Sequence, residues 1–145
     1  MNDKELMDAA IAQARKSLSE GGIPIGATLA RGGELLALGH NKRVQEIDPV
    51  THAEIDCLRN AGRIGSFRDT VLYSTLMPCY LCSGAVVQFG IPKVIVGESR
   101  TFPGGPDFMR SHGVEVIDLD LPECVEMMTQ FIAAHPELWD EDIGR

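Results

Sequence analysis

The sequence predicts an α/β fold in three layers, α/β/α, with a mixed five-stranded sheet at the centre. Three observations lead there. A helical amphipathic pattern precedes a glycine-turned hairpin, and strand and helix patterns then alternate to the C-terminus. The length of 145 residues, with 44% hydrophobic content, suits one core and is short for two. Residues 1–145 are therefore read as one domain.

From Asp3 to Glu20, Leu6, Met7, Ala10, Ile11, Ala14 and Leu18 recur at steps of three and four, which places them on one face of a helix stopped by Gly21-Gly22. Two extended stretches follow, Ile25 to Ala30 and Leu35 to His40. Arg31-Gly32-Gly33-Glu34 joins them and supplies the positive backbone angles of a tight hairpin. After the polar loop carrying Asp48-Pro49, a helix is predicted from Thr51 to about Asn60, ended by Ala61-Gly62. A strand at Val71 to Thr75, a helix from Pro78 to Phe89 and a strand at Val94 to Val96 come next. A short helix at Asp107 to His112, a strand at Val114 to Ile117 and a helix at Pro122 to Ala134 complete the alternation. The hairpin followed by this alternation implies a mixed sheet with helices on both faces. Leu138, Trp139 and Ile143 give the acidic tail apolar anchors, so it is expected to fold back on the body.

The formal net charge of −8 repels phosphate backbones and disfavours a nucleic-acid partner. No apolar run approaches the roughly eighteen residues of a membrane span, and the N-terminus begins with Asn2-Asp3-Lys4-Glu5. The expectation is a cytoplasmic protein without membrane attachment. Cys57, Cys79, Cys82 and Cys124 are too few and too unevenly spaced for a disulfide scaffold, so reduced thiols are expected.

Cys79 and Cys82 stand three apart beside Pro78, which suits a first helical turn. At a helix start the dipole and unpaired N–H groups favour thiolate, the form that binds zinc. By itself the spacing also fits a redox pair or packed cysteines. His52-Ala53-Glu54 begins the other helix, and zinc accepts imidazole beside thiolates, with three protein ligands leaving a fourth position for water. His52, Cys79 and Cys82 are thus the candidate zinc ligands and Glu54 the candidate proton carrier. A plainer reading makes Glu54 half of a capping box with Thr51. Cys57, Cys124, His40, His112 and His135 show no spacing that offers a fourth ligand.

His-x-Glu followed by Pro-Cys-x-x-Cys is the signature of zinc deaminases. With Gly21-Gly22-Ile23-Pro24-Ile25-Gly26, Gly39-His40-Asn41, Phe89-Gly90-Ile91-Pro92 and the segment from Trp139 to Gly144, most of the chain resembles the fungal-type cytosine deaminase family. The resemblance implies a cytidine deaminase-like fold, one zinc ion per subunit, a homodimer and a free nucleobase as substrate. It also implies that Asn41 pairs with the ring edge and that Asp142 accepts from the amine side. Phe102 and Trp139 would close over the base, and Ile25 and Leu76 would be apolar walls. Ala53 and Met77 would be further contacts, Met77 through its backbone carbonyl. Met77, Tyr80, Ala53 and the Arg100–Gly105 segment depart from the family pattern. The reaction expected is hydrolysis of cytosine to uracil and ammonia. Deamination of guanine or another small heterocycle, a tRNA adenosine deaminase and a zinc-stabilised binding module stand as alternatives.

Overall fold

The computed structural model describes residues 1–145. Helix α1 (Asp3–Ser19) opens on Asn2, whose side chain accepts from the Glu5 N–H while Glu5 reaches back to the Asn2 N–H, a capping box. Strands β1 (Gly26–Arg31) and β2 (Glu34–His40) pair antiparallel through a two-residue loop. Gly32 and Gly33 carry φ of 55° and 78° there, the positive pair such a hairpin needs. Helix α2 (Ala53–Ala61), β3 (Thr70–Ser74), α3 (Tyr80–Phe89), β4 (Lys93–Val96), α4 (Pro106–Ser111), β5 (Glu115–Asp118), α5 (Pro122–Ala134) and α6 (Pro136–Asp142) follow in order.

The sheet runs β2-β1-β3-β4-β5, with β1 antiparallel to both neighbours and β3, β4 and β5 parallel. Alternation along the strands divides the interior. Leu29, Leu72, Val94, Val96 and Val116 join a core with Ala53, Cys57 and Leu58 of α2, Val86 of α3 and Met109 of α4. Ala30, Tyr73 and Ile95 pack instead with Leu6, Met7, Ala10 and Ile11 of α1 and Cys124 and Met127 of α5. Burial on both faces is what a period of two in side-chain direction produces when helices cover each side. The expected α/β/α arrangement is therefore observed.

Close backbone approach sets where the helices dock. A Cβ on Gly26 would lie 2.0 Å from the Ala10 carbonyl oxygen, and one on Gly39 would lie 2.3 Å from the Cys57 nitrogen. Glycine at these positions lets α1 and α2 sit directly on the hairpin. Asp56 fixes the α2 start further, accepting from the His40 N–H at 3.0 Å and pairing with Lys42 at 3.1 Å.

Two helix starts differ from expectation. Thr51 is not helical: its hydroxyl donates to Asp48 Oδ2 at 2.8 Å within the Asp48-Pro49 turn, so it forms no capping box with Glu54. His52 becomes the extended N-cap, with φ −69° and ψ 161°. Likewise α3 begins at Tyr80, with Cys79 as N-cap. The Pro78 carbonyl accepts from the Gly105 N–H at 3.0 Å and the Ser83 hydroxyl at 3.1 Å, tying the approach to α3 to the segment before α4.

The tail folds back as expected. Seven residues are too few for a stable isolated helix, and α6 is held by Trp139, which is 3% exposed and part of the same core as Phe131 of α5. No helix is long and apolar enough to cross a membrane.

Candidate active site

The chain enters the site from the N-termini of α2 and α3, and the two extended N-caps face each other. Nδ1 of His52 lies 3.5 Å from Sγ of Cys79. The ligand atoms of His52, Cys79 and Cys82 all fall within 4.8 Å of one another. Tetrahedral zinc with Zn–S of about 2.3 Å and Zn–N of about 2.0 Å places its donors about 3.5–3.8 Å apart, so this donor set fits the ion in chemistry and in spacing. No further His, Cys, Asp or Glu joins the cluster. Cys57 and Cys124 are buried in the two cores. His40 is engaged by Gln13 and Glu20, and His112 by Phe108 and Ser111.

The electrostatics make Cys79 the thiolate of the cluster. The neighbouring Cys82 thiol, and then His52, hold the Cys79 thiol near a pKa of about 4 against the upward pull of burial. Cys82 moves the other way, raised by Cys79 and by burial. Burial pulls the His52 imidazolium down, but Cys79, Asp142 and Glu54 outweigh it and lift it to about 9. Glu54, on the first turn of α2 and 4% exposed, is pushed up to about 7 by burial and then by the Cys79 charge.

One cavity is lined by Ile25, His52, Glu54, Leu76, Met77, Cys79, Phe102, Trp139 and Asp142. It joins the loop before β1, both helix starts, the segment after β3, the loop after β4 and the tail helix. Phe102 and Trp139 meet edge to face, ring centroids 5.7 Å apart. Only about 10 Å³ lies open between these walls, room for about one water against the roughly 300–1,000 Å³ of a ligand pocket. A groove of about 920 Å³ between α2 and α3 is larger, but it contains none of these groups.

Asn41 and Ala53 do not line the cavity. Ala53 is packed in the core. Asn41 is fully buried behind Asp142, with its Nδ2 3.5 Å from Asp142 Oδ1 and its Oδ1 accepting the Arg43 N–H at 3.0 Å. Asp142, raised by burial, lies 3.9 Å from Nε2 of His52.

Arg43 escaped the sequence reading. Its Nη1 lies 3.3 Å from Asp142 Oδ1, its Nη2 3.8 Å from Glu141, and its Nε donates to the Pro49 carbonyl at 3.0 Å. It clamps the tail helix over the site. The available signal was a cation two residues after Asn41 and an acidic tail with apolar anchors. Glu98 was missed as well: it stands two residues past the end of β4, after Gly97, and is fully buried.

Fold and site together define a zinc-binding deaminase. The model of the cytidine and deoxycytidylate deaminase zinc-binding region matches residues 1–98, and the chain belongs to that family. It is 40% identical over 146 aligned residues to a cytosine deaminase of Candida albicans, covering 99% of this chain and 97% of the relative. A tRNA-specific adenosine deaminase of Streptococcus pyogenes is 39% identical over 104 residues, 70% of this chain and 65% of the relative. Among solved structures, one from a study of A-to-I editing by tRNA:A34 deaminases superposes with a TM-score of 0.76 at 26% identity, covering 86% of this chain and 99% of that one.

Proposed function

We propose that the chain hydrolyses free cytosine to uracil and ammonia, with one zinc ion per subunit held by His52, Cys79 and Cys82. The observation that carries this reading is Asp142: the tail helix brings a buried carboxylate into the cavity that holds Glu54 and the three donors. The match to the Candida albicans enzyme spans nearly the whole chain, whereas that to the Streptococcus pyogenes tRNA deaminase covers 70% of it. The net charge of −8 also opposes a tRNA partner.

His52, Cys79 and Cys82 would hold a zinc ion, which would supply Lewis-acid activation of water at neutral pH. Glu54 takes the proton of the attacking water and delivers it to the ring nitrogen beside the amine-bearing carbon. It then takes the remaining proton from the hydroxyl added to the ring carbon and passes it to the amine as the C–N bond breaks and the carbonyl forms, so one water and one cytosine yield one uracil and one ammonia. Asp142 accepts from the amine side, Asn41 supports that carboxylate from behind through its Nδ2 instead of reaching the ring edge itself, and Phe102 and Trp139 close over the base and exclude water. Ile25, Leu76 and Met77 form the apolar walls.

Ammonia release from the zinc-replete protein with cytosine, 5-methylcytosine, cytidine, adenine and guanine at equal concentration tests the assignment. Cytosine is expected to be turned over and cytidine to be a poor substrate, because Phe102 and Trp139 folding over a bound base would meet a ribose attached to it. Turnover of guanine or adenine alone would transfer the same chemistry to a different base.

The reading extends to a homodimer, with a second copy on the face made by α2 and α3. Tyr80, Leu81 and Phe89 of α3 stand exposed there, beside the groove floored by Ile55, Leu58 and Phe67. Sedimentation is expected to give twice the 15.8 kDa chain mass, with Phe89→Asp shifting it to the monomer. A wild-type monomer at micromolar concentration would refute this. The same reading carries a cytoplasmic location, supported by four unpaired cysteines.

A further inference from the structure

We propose that Glu98 is a positioning residue that sets the Phe102 wall of the base site through a latch to Thr101. The inference rests on the reading of this cavity as the base site. Glu98 follows β4 and is fully buried, yet it lies outside the metal cluster and takes no part in the proton steps. Its Oε2 accepts from the Thr101 N–H at 3.0 Å and its Oε1 accepts from the Thr101 hydroxyl. Both bonds fall on the residue next to Phe102. The Glu98 backbone carbonyl accepts from the Met77 N–H at 2.9 Å. One buried residue therefore anchors two walls of the same cavity, Met77 through its main chain and Phe102 through its side chain.

Between Glu98 and Phe102 the other side-chain anchors are on the surface. Ser99 bonds Asp118, and Arg100 makes a two-pronged pair with Asp120 at 2.5 and 2.6 Å, but exposed pairs contribute little. A buried carboxylate is costly to leave unpaired, so the Thr101 bonds decide the conformation. Beyond Phe102, Gly104 at φ 63° packs on Met77; a Cβ there would come within 2.5 Å of Met77 Cγ. The loop is thus pinned on both sides of Phe102, at Thr101 by Glu98 and at Gly104 by contact with Met77.

A wall that touches the base in the ground state and in the transition state alike affects binding more than the chemical step. Thr101→Val keeps the branched shape and removes the hydroxyl from a partly exposed loop position, so the fold is retained. KM for cytosine is expected to rise about tenfold, the size of one lost hydrogen bond to a charged group, with kcat changed by less than about twofold. Thr101→Ser is expected to restore KM. Trp139 is the single tryptophan and meets the Phe102 ring, so its emission reports the wall without substrate. Thr101→Val is expected to shift that emission to the red and to increase its quenching by acrylamide. Wild-type KM and quenching in Thr101→Val would overturn the latch, as would a fall in kcat with KM unchanged. If the wild-type protein turns over no cytosine, the base-site reading falls while the Trp139 emission still decides the latch.

Discussion

Glu54→Gln is expected to retain zinc at the wild-type level and to lose turnover by about 10²–10⁴-fold, the usual contribution of a positioned general acid–base. Glutamine has nearly the same shape, so the buried start of α2 is undisturbed, and His52, Cys79 and Cys82 keep their donor atoms. What it lacks is the capacity to accept a proton and return it. The side chain lies in the cavity with the three donors and is almost inaccessible to solvent, so no water or buffer base can readily substitute. Metal content by elemental analysis and ammonia release on the same preparation check both halves of the expectation. A fully active, zinc-loaded variant would remove Glu54 from the proton path and leave it as a helix-terminal acid.

The parts of this molecule legible in the sequence were those written in local pattern. Short continuous apolar runs at Leu72-Tyr73 and Val94-Ile95-Val96 marked strands of a sheet covered on both faces, and Gly32-Gly33 marked the hairpin turn. The two metal segments were legible because chemistry demands particular donor types at short spacing. Helix starts were less so. Thr51 and Pro78 looked like first-turn residues, but Asp48, three residues back, takes the Thr51 hydroxyl, a local competitor for the capping box, and Gly105 takes the Pro78 carbonyl from outside any local window. The same limit hid Arg43 and Glu98. Arg43 acts on a carboxylate 99 positions along the chain. Glu98 reads as an ordinary acid after a strand until the sheet and the loop enclose it. Asn41 lies between these cases: its turn-forming bond to the Arg43 N–H is local, while its approach to Asp142 requires the tail.

Cys79→Ala is expected to lose both zinc and activity, and His52→Ala to behave likewise, because two remaining donors cannot hold an ion that takes three protein ligands in open sites. Cys79 is the better cysteine to remove. It is an N-cap whose side chain caps no backbone group and is only partly buried, whereas Cys82 is fully enclosed and its truncation would add a packing defect to the loss of a ligand. The zinc-loaded wild type should melt at a higher temperature than Cys79→Ala, since an ion bound by the folded state stabilises it by mass action. Chelator-stripped wild type should match the variant in activity and regain turnover on adding zinc, while Cys79→Ala should not. That contrast separates a ligand from a residue that merely supports the fold. Zinc-dependent recovery in Cys79→Ala would exclude its thiolate from the coordination sphere, whereas failure to recover, alongside a zinc-loaded but inactive Glu54→Gln, divides metal holding from proton transfer between the two helix starts.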